Sequence, residues 1–133
     1  MTEMAAERAG ASPGKALNIV LWVLQVLVAL AFFGASSGKL MGNEQMVGMY
    51  EVIGLGQWFR YLTGILEFSG AILVLVPKTR AIGAVLLACV MVGAITTHIF
   101  VLHNSPALPI VLLAMTSTIA WGRRAELERF LGK

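Results

Sequence analysis

The run from Leu17 to Gly38 contains no charged residue. At about 1.5 Å of rise per residue it is long enough to cross a bilayer core of about 30 Å as one helix. Three more apolar segments follow, Trp58 to Val76, Ala81 to Leu102 and Ala107 to Trp121. The third crosses comfortably; the second and fourth are short and borrow a turn from their flanks, with Trp58, Phe59 and Tyr61 placed as an aromatic belt. With 58% hydrophobic and 13% charged residues and a mean hydropathy of +0.82, the 133-residue chain lacks the polar groups to cover a soluble globule. A membrane fold is expected.

Basic residues set the expected orientation. With the N-terminus in the cytoplasm, Arg8, Lys15, Lys78, Arg80, Arg123, Arg124, Arg129 and Lys133 lie inside and only Lys39 and Arg60 outside. That asymmetry predicts an even number of spans, here four, with both termini cytoplasmic. The net charge of +3 is then a topology signal. The cations are scattered at helix ends with no aromatic-interleaved patch, so no nucleic-acid partner is expected.

Residues 1–15 read as a disordered polar tail, 16–122 as the transmembrane domain and 123–133 as a basic cytoplasmic tail. The GASSG that closes the first run resembles a signal-peptide cleavage region, but the apolar core before it is longer than usual, so a retained helix is expected. The single cysteine, Cys89, excludes an internal disulfide and a CxxC pair, and reads as a small packing residue. Between the first two spans, Met46, Val47, Tyr50, Val52, Ile53 and Leu55 space out as the apolar face of a short interfacial helix, with Glu44 and Glu51 toward water. The other connections, 77–80 and 103–106, are tight and make their spans antiparallel neighbours in an all-α four-helix bundle.

Within the second span stands Glu67. A carboxylate at that depth is expensive, and it marks a functional or register-setting position. It shares one helix face with Thr63, Gly64, Gly70 and Ala71, a stripe with almost no side chains where a neighbouring helix approaches closely. Span three offers a second stripe, Ala84, Ala88, Met91, Ala94 and His98. Counting depth from the cytoplasmic ends puts Glu67 at about 13 Å and Gln25 at about 12 Å, so Gln25 is the expected hydrogen-bond partner. Glu67 is expected neutral unless a cation or water column reaches it. Ser36, Ser37, Lys39, Thr96, Thr97, His98, His103 and Asn104 form a second polar group in the outer half. A funnel with a titratable rim and a carboxyl at its base is the form that a small-molecule or proton path takes. The plainer readings are Lys39 as a snorkelling anchor and His98 as an interfacial histidine bonded to a carbonyl.

The segments LAFFGASSGKL, GILEFSGAILVLVPKTR and GAVLLACVMVGAITTHIF resemble the DoxX-like family of small four-span membrane proteins. The match rests on Gly34, Gly38 and Lys39, on Gly64, Glu67, Gly70 and Ala71, and on Gly93, Ala94, Thr97 and His98. The resemblance implies the fold more firmly than the chemistry. Some relatives are named as subunits of thiosulfate:quinone oxidoreductase or of a terminal quinol oxidase, others are linked to oxidative-stress complexes, and a distant animal branch resembles receptor-assembly chaperones.

Two functions are therefore weighed. In the first, a quinone or other lipophilic molecule binds at Gln25, Lys39, Glu67, Thr97 and His98, with Glu67 and His98 in the catalytic roles, as part of a membrane oxidoreductase. One cysteine and two histidines five apart supply no haem, iron or other metal site, so electrons would come from a redox-protein partner or the bound quinone. The second is a non-catalytic scaffold or assembly subunit with a filled interior. In either case membrane lipid surrounds the chain and a homo-oligomer is expected. Transport is a weaker third reading, since no span is broken in mid-membrane.

Overall fold

The computed structural model describes residues 14–132, and every regular element among them is helical. Apart from Gly14 and Lys15, the expected N-terminal tail lies outside the described residues. Helix α1, Lys15–Met41, begins inside that expected tail and stops where Gly42 takes the left-handed conformation at φ 73°. Helix α2, Glu44–Ile53, is the expected interfacial helix. Asn43 caps its start, the side chain accepting from the Gln45 N–H at 2.9 Å. Gly54 ends it at φ 82°.

Helix α3, Gln57–Leu75, runs into the Pro77 turn, where the Leu73 carbonyl accepts from the Val76 N–H at 3.3 Å and from the Thr79 hydroxyl at 2.9 Å. Helix α4, Arg80–Thr97, then continues into a π-helical turn, His98–Leu102. Helix α5, Ala107–Gly122, carries Pro109 in its first turn, where a missing N–H costs nothing. The residues expected as a basic tail form a further short helix, α6, Arg124–Phe130.

Three elements are long and apolar enough to cross a membrane: Lys15–Met41, Gln57–Leu75 and Arg80–Leu102. Ala107–Gly122 is an apolar helix of shorter length. The four pack as a ring, α1 on α3, α3 on α4, α4 on α5 and α5 back on α1. Each carries one buried stripe, and the stripes meet in a core of Val28, Ala29, Phe32, Ala71, Val74, Ala84, Leu87, Met91, Leu112 and Ile119. Large apolar residues such as Leu30, Ile65, Phe68, Val92 and Val111 remain exposed on the outward faces, as helices facing lipid require. Cys89 is also exposed and faces outward, so it is not the packing residue expected.

Without a hydrophobic drive between helices, close packing holds such a bundle together, and the small residues are where it is closest. A Cβ at Gly83 would sit 2.7 Å from the Val74 backbone nitrogen, so α3 and α4 touch main chain to side-chain position. Gly83→Ala is expected to destabilise the fold by about 1–3 kcal/mol through overpacking. Gly34, around which a Cβ would meet nothing, should accept alanine without loss. Thermal unfolding of the two variants in detergent checks this, with the midpoint lowered in the first only.

Candidate functional site

Lys39 and Glu67 meet in the half of the bundle that lies under α2. The Lys39 ammonium lies 2.7 Å from Glu67 Oε1, with the two side chains 11% and 3% exposed. They are held by charge at contact distance. No donor meets Oε1 in hydrogen-bonding geometry, so that oxygen keeps accepting capacity. The expected condition for an ionised Glu67, a cation within reach, is therefore met, and the cation is Lys39.

The lysine reaches the carboxylate because Gly64 leaves room for its stem. A Cβ at Gly64 would lie 3.2 Å from the Lys39 Cβ and 2.9 Å from Leu40. Lys39 thus crosses the α1–α3 contact beside Gly64 and extends inward to Glu67, one helical turn further along α3. A snorkelling lysine would point the other way. Its own carbonyl, at the open C-terminal end of α1, accepts from Arg60 Nη1. Arg60 is itself buried, bonded through Nε to Gln57 Oε1 at 2.7 Å and placed over the Tyr61 ring.

Beside the pair lies a cavity of about 390 Å³, within the size range of small-molecule sites. Lys39, Glu67, Thr97 and His98 all line it. Lys39 and His98 therefore share one space with the carboxylate. The rest of the wall is mainly apolar and includes Met46, Met49 and Met91, adaptable side chains suited to a ligand of irregular shape. Helix α2 roofs it with the buried Tyr50. Burial pushes the Tyr50 phenol above its ordinary range, so it stays a neutral hydroxyl at neutral pH. The π turn closes the far side with His98 and Leu102, and His98 Nδ1 pairs with Asn104 Oδ1. Thr97 spends its own hydroxyl proton on the Gly93 carbonyl at 2.8 Å.

Gln25 is not part of this site. It is fully buried nearer the opposite end, donating to the Val74 carbonyl at 2.8 Å and accepting from Arg123 Nε at 3.0 Å. The expected bond to Glu67 is not formed, because α1 starts well beyond the end of α3 and Gln25 falls level with Val74. Around Arg123 a second polar cluster is built that the sequence reading missed. Arg123 Nη1 donates to Asn18 Oδ1 at 2.7 Å, and Arg80 clamps Glu126 through two bonds of 2.7 Å. Trp22 lies under both guanidiniums.

Both missed arginines continue a buried stripe. Arg60 precedes Gly64, Glu67 and Ala71 at helical spacing, and Arg123 follows Leu112, Thr116 and Ile119. Extending the stripes past the apolar runs would have found them. Among the described residues no group of three His, Cys, Asp or Glu side chains could hold a metal ion.

The DoxX-like family model matches residues 23–119, from the first turns of α1 almost to the end of α5. The chain belongs to the DoxX-like family. A relative from Bacillus subtilis (strain 168), named "Putative oxidoreductase CatD", is 30% identical over 83 residues, which is 62% of each chain. The chain thus aligns with less than two thirds of that relative's length. No solved structure matches significantly. Family and apolar helices together make this DoxX-like chain a multi-pass membrane protein.

A buried pair of this kind adds little net stability, yet either member alone is an uncompensated charge. Lys39→Met and Glu67→Leu are each expected to cost about 3–5 kcal/mol, and the double variant to recover most of it. A double-mutant cycle by detergent-induced unfolding measures this.

Proposed function

We propose that this DoxX-like protein binds a quinone or similar lipophilic molecule in the cavity under α2, as the membrane subunit of an oxidoreductase system. The observation that carries the reading is an apolar space of about 390 Å³ with an ion pair in its wall. A flat apolar ring with polar oxygens suits such a space. Lys39 donates to a ring oxygen, Glu67 gives or takes a proton at another, and His98 lines the same cavity as a further proton carrier. Reducing a quinone to a quinol takes two electrons and two protons. The electrons come from a redox-protein partner, and this chain holds the ring and handles the protons. The name of the Bacillus subtilis relative is consistent with an oxidoreductase setting.

The membrane arrangement that goes with this reading has α5 as a short fourth span and both termini in the cytoplasm, in the inner membrane. Burial of Lys39 and Arg60 strengthens the charge argument. The two basic residues assigned to the outer side are both withdrawn from solvent, leaving the exposed ones to the inner side. A scaffold or assembly subunit is the other reading, and it calls for a filled interior. The cavity beside Glu67 weighs against it.

Because the double variant Lys39→Met/Glu67→Leu is expected to keep the fold, it separates binding from stability. Native mass spectrometry and equilibrium binding of a decyl-chained benzoquinone should show one saturable site per chain in the wild type. The double variant should bind about tenfold more weakly or worse. Equal binding by both proteins, or none by either, would remove quinone binding at this site.

A further inference from the structure

The seam between α1 and α5 changes character along its length. At the Arg123 end it is shut. A Cβ at Gly122 would lie 2.6 Å from Leu21, and Arg123 is bonded to both Gln25 and Asn18. Two heptads toward the cavity, about 21 Å along antiparallel helices, the positions equivalent to Leu21 and Gly122 are Ala35 and Leu108. Both line the cavity, yet Leu108 is 67% exposed and Ala35 is only half-buried. Ala31, one turn below Ala35 on the same side of α1, is exposed as well.

The neighbouring seams are tight. Phe33 and Phe68 meet edge to face with centroids 5.3 Å apart across α1 and α3, and Gly70 and Gly83 seat α4 against α3. Over the top, α2 and the π turn pack on each other. The parting of α1 from α5 therefore connects the ion-pair cavity with the surface that faces lipid.

We infer that the cavity opens sideways into the bilayer between Ala35 and Leu108, and that its ligand carries a long apolar chain lying in this slot while its polar ring stays at Lys39 and Glu67. The identity of the ring rests on the function proposed above. The slot stands on the helix geometry alone. Its occupant is a membrane-resident lipid of quinone type rather than a water-soluble metabolite. Each methylene taken from detergent or lipid into a fitted slot adds contacts, and the missing bulk at Ala35 is the space it would use.

The test uses Leu108→Trp, which narrows the slot and touches neither charged residue. Two probes are compared on the full chain, the same dimethoxy-methyl-benzoquinone with and without a decyl chain, at matched mole fraction in detergent. The wild type should prefer the chained probe by about tenfold or more. Leu108→Trp should abolish that preference, the chained probe binding no better than the chainless one to the same variant. A second arm needs no quinone: nanodiscs of phosphatidylcholine bearing a diazirine in the acyl chain are irradiated and the adducts mapped. Adducts on the cavity-wall residues Leu112 and Glu67 in the wild type, lost in Leu108→Trp, support the slot. Adducts confined to outward residues such as Val111, together with equal binding of both quinones, overturn it while leaving quinone binding in place. Cavity adducts with no binding of either quinone uphold the slot, with a membrane lipid as its occupant, and remove the quinone reading instead.

Discussion

An ammonium and a carboxylate inside an apolar bundle are tolerable only in each other's company. That requirement fixes much of this structure. Lys39 has to lie on the inner face of α1, which sets the rotation that also buries Leu21, Gln25, Phe32 and Ser36. Glu67 has to face it, which puts Gly64, Gly70 and Ala71 inward on α3. Gly64 leaves room for the lysine stem, and a Cβ there would press on both Lys39 and Leu40. A hydrophobic pair of similar volume would hold the helices at least as well, so stability does not account for the charges. What they add is a directed polar environment beside an open space.

The two polar layers of the bundle contrast in this respect. Around Arg123 most of the groups are spent on one another: Gln25 uses both ends of its amide, Asn18 accepts, and Arg80 and Glu126 form a two-bond clamp, with Arg123 Nη2 left without a hydrogen-bond partner. The helices close there. Around Glu67 no donor beyond Lys39 reaches Oε1, Lys39 has further protons to donate, and a cavity of about 390 Å³ adjoins the pair. Unfilled volume deprives its lining of contacts. A bundle able to seal one end so tightly leaves the other open where its free polar capacity lies, and the proposed binding site rests on that combination.

Helix positions and their inward stripes, the buried place of Glu67 among them, were legible in the sequence because period and residue size carry them. The interfacial helix was legible for the same reason. The partner of Glu67 was not. Depth was counted from the ends of the apolar runs, as if α1 and α3 finished level, whereas α1 extends from Lys15 to Met41 against Gln57–Leu75 for α3. That offset slides Gln25 down to Val74 and brings Lys39 within reach. Arg60 and Arg123 were read as solvent charges because the apolar runs stop short of them, although the stripes do not. The cavity and the π turn at His98 left no local mark. Their existence depends on how far α1 and α5 part, and that is set by contacts at Gly122 and Leu21, far along the helices.

A lateral slot also explains why the roof is so firmly placed. If the ligand arrived from water, α2 would have to swing aside on the linkers at Gly42 and at Gly54 to Gly56. Instead it is tied down: Tyr50 is buried, its ring meets Phe59 at 5.8 Å, and the Val47 carbonyl accepts from Gln57 at 3.2 Å. Entry between Ala35 and Leu108 asks none of these contacts to break. The short connections flanking α2 then serve to hold it over the ion pair, shielding the charges from water and keeping their interaction with a bound ring strong. A fixed roof and an open side are what a site needs when its ligand lives in the membrane and its charges must not be hydrated.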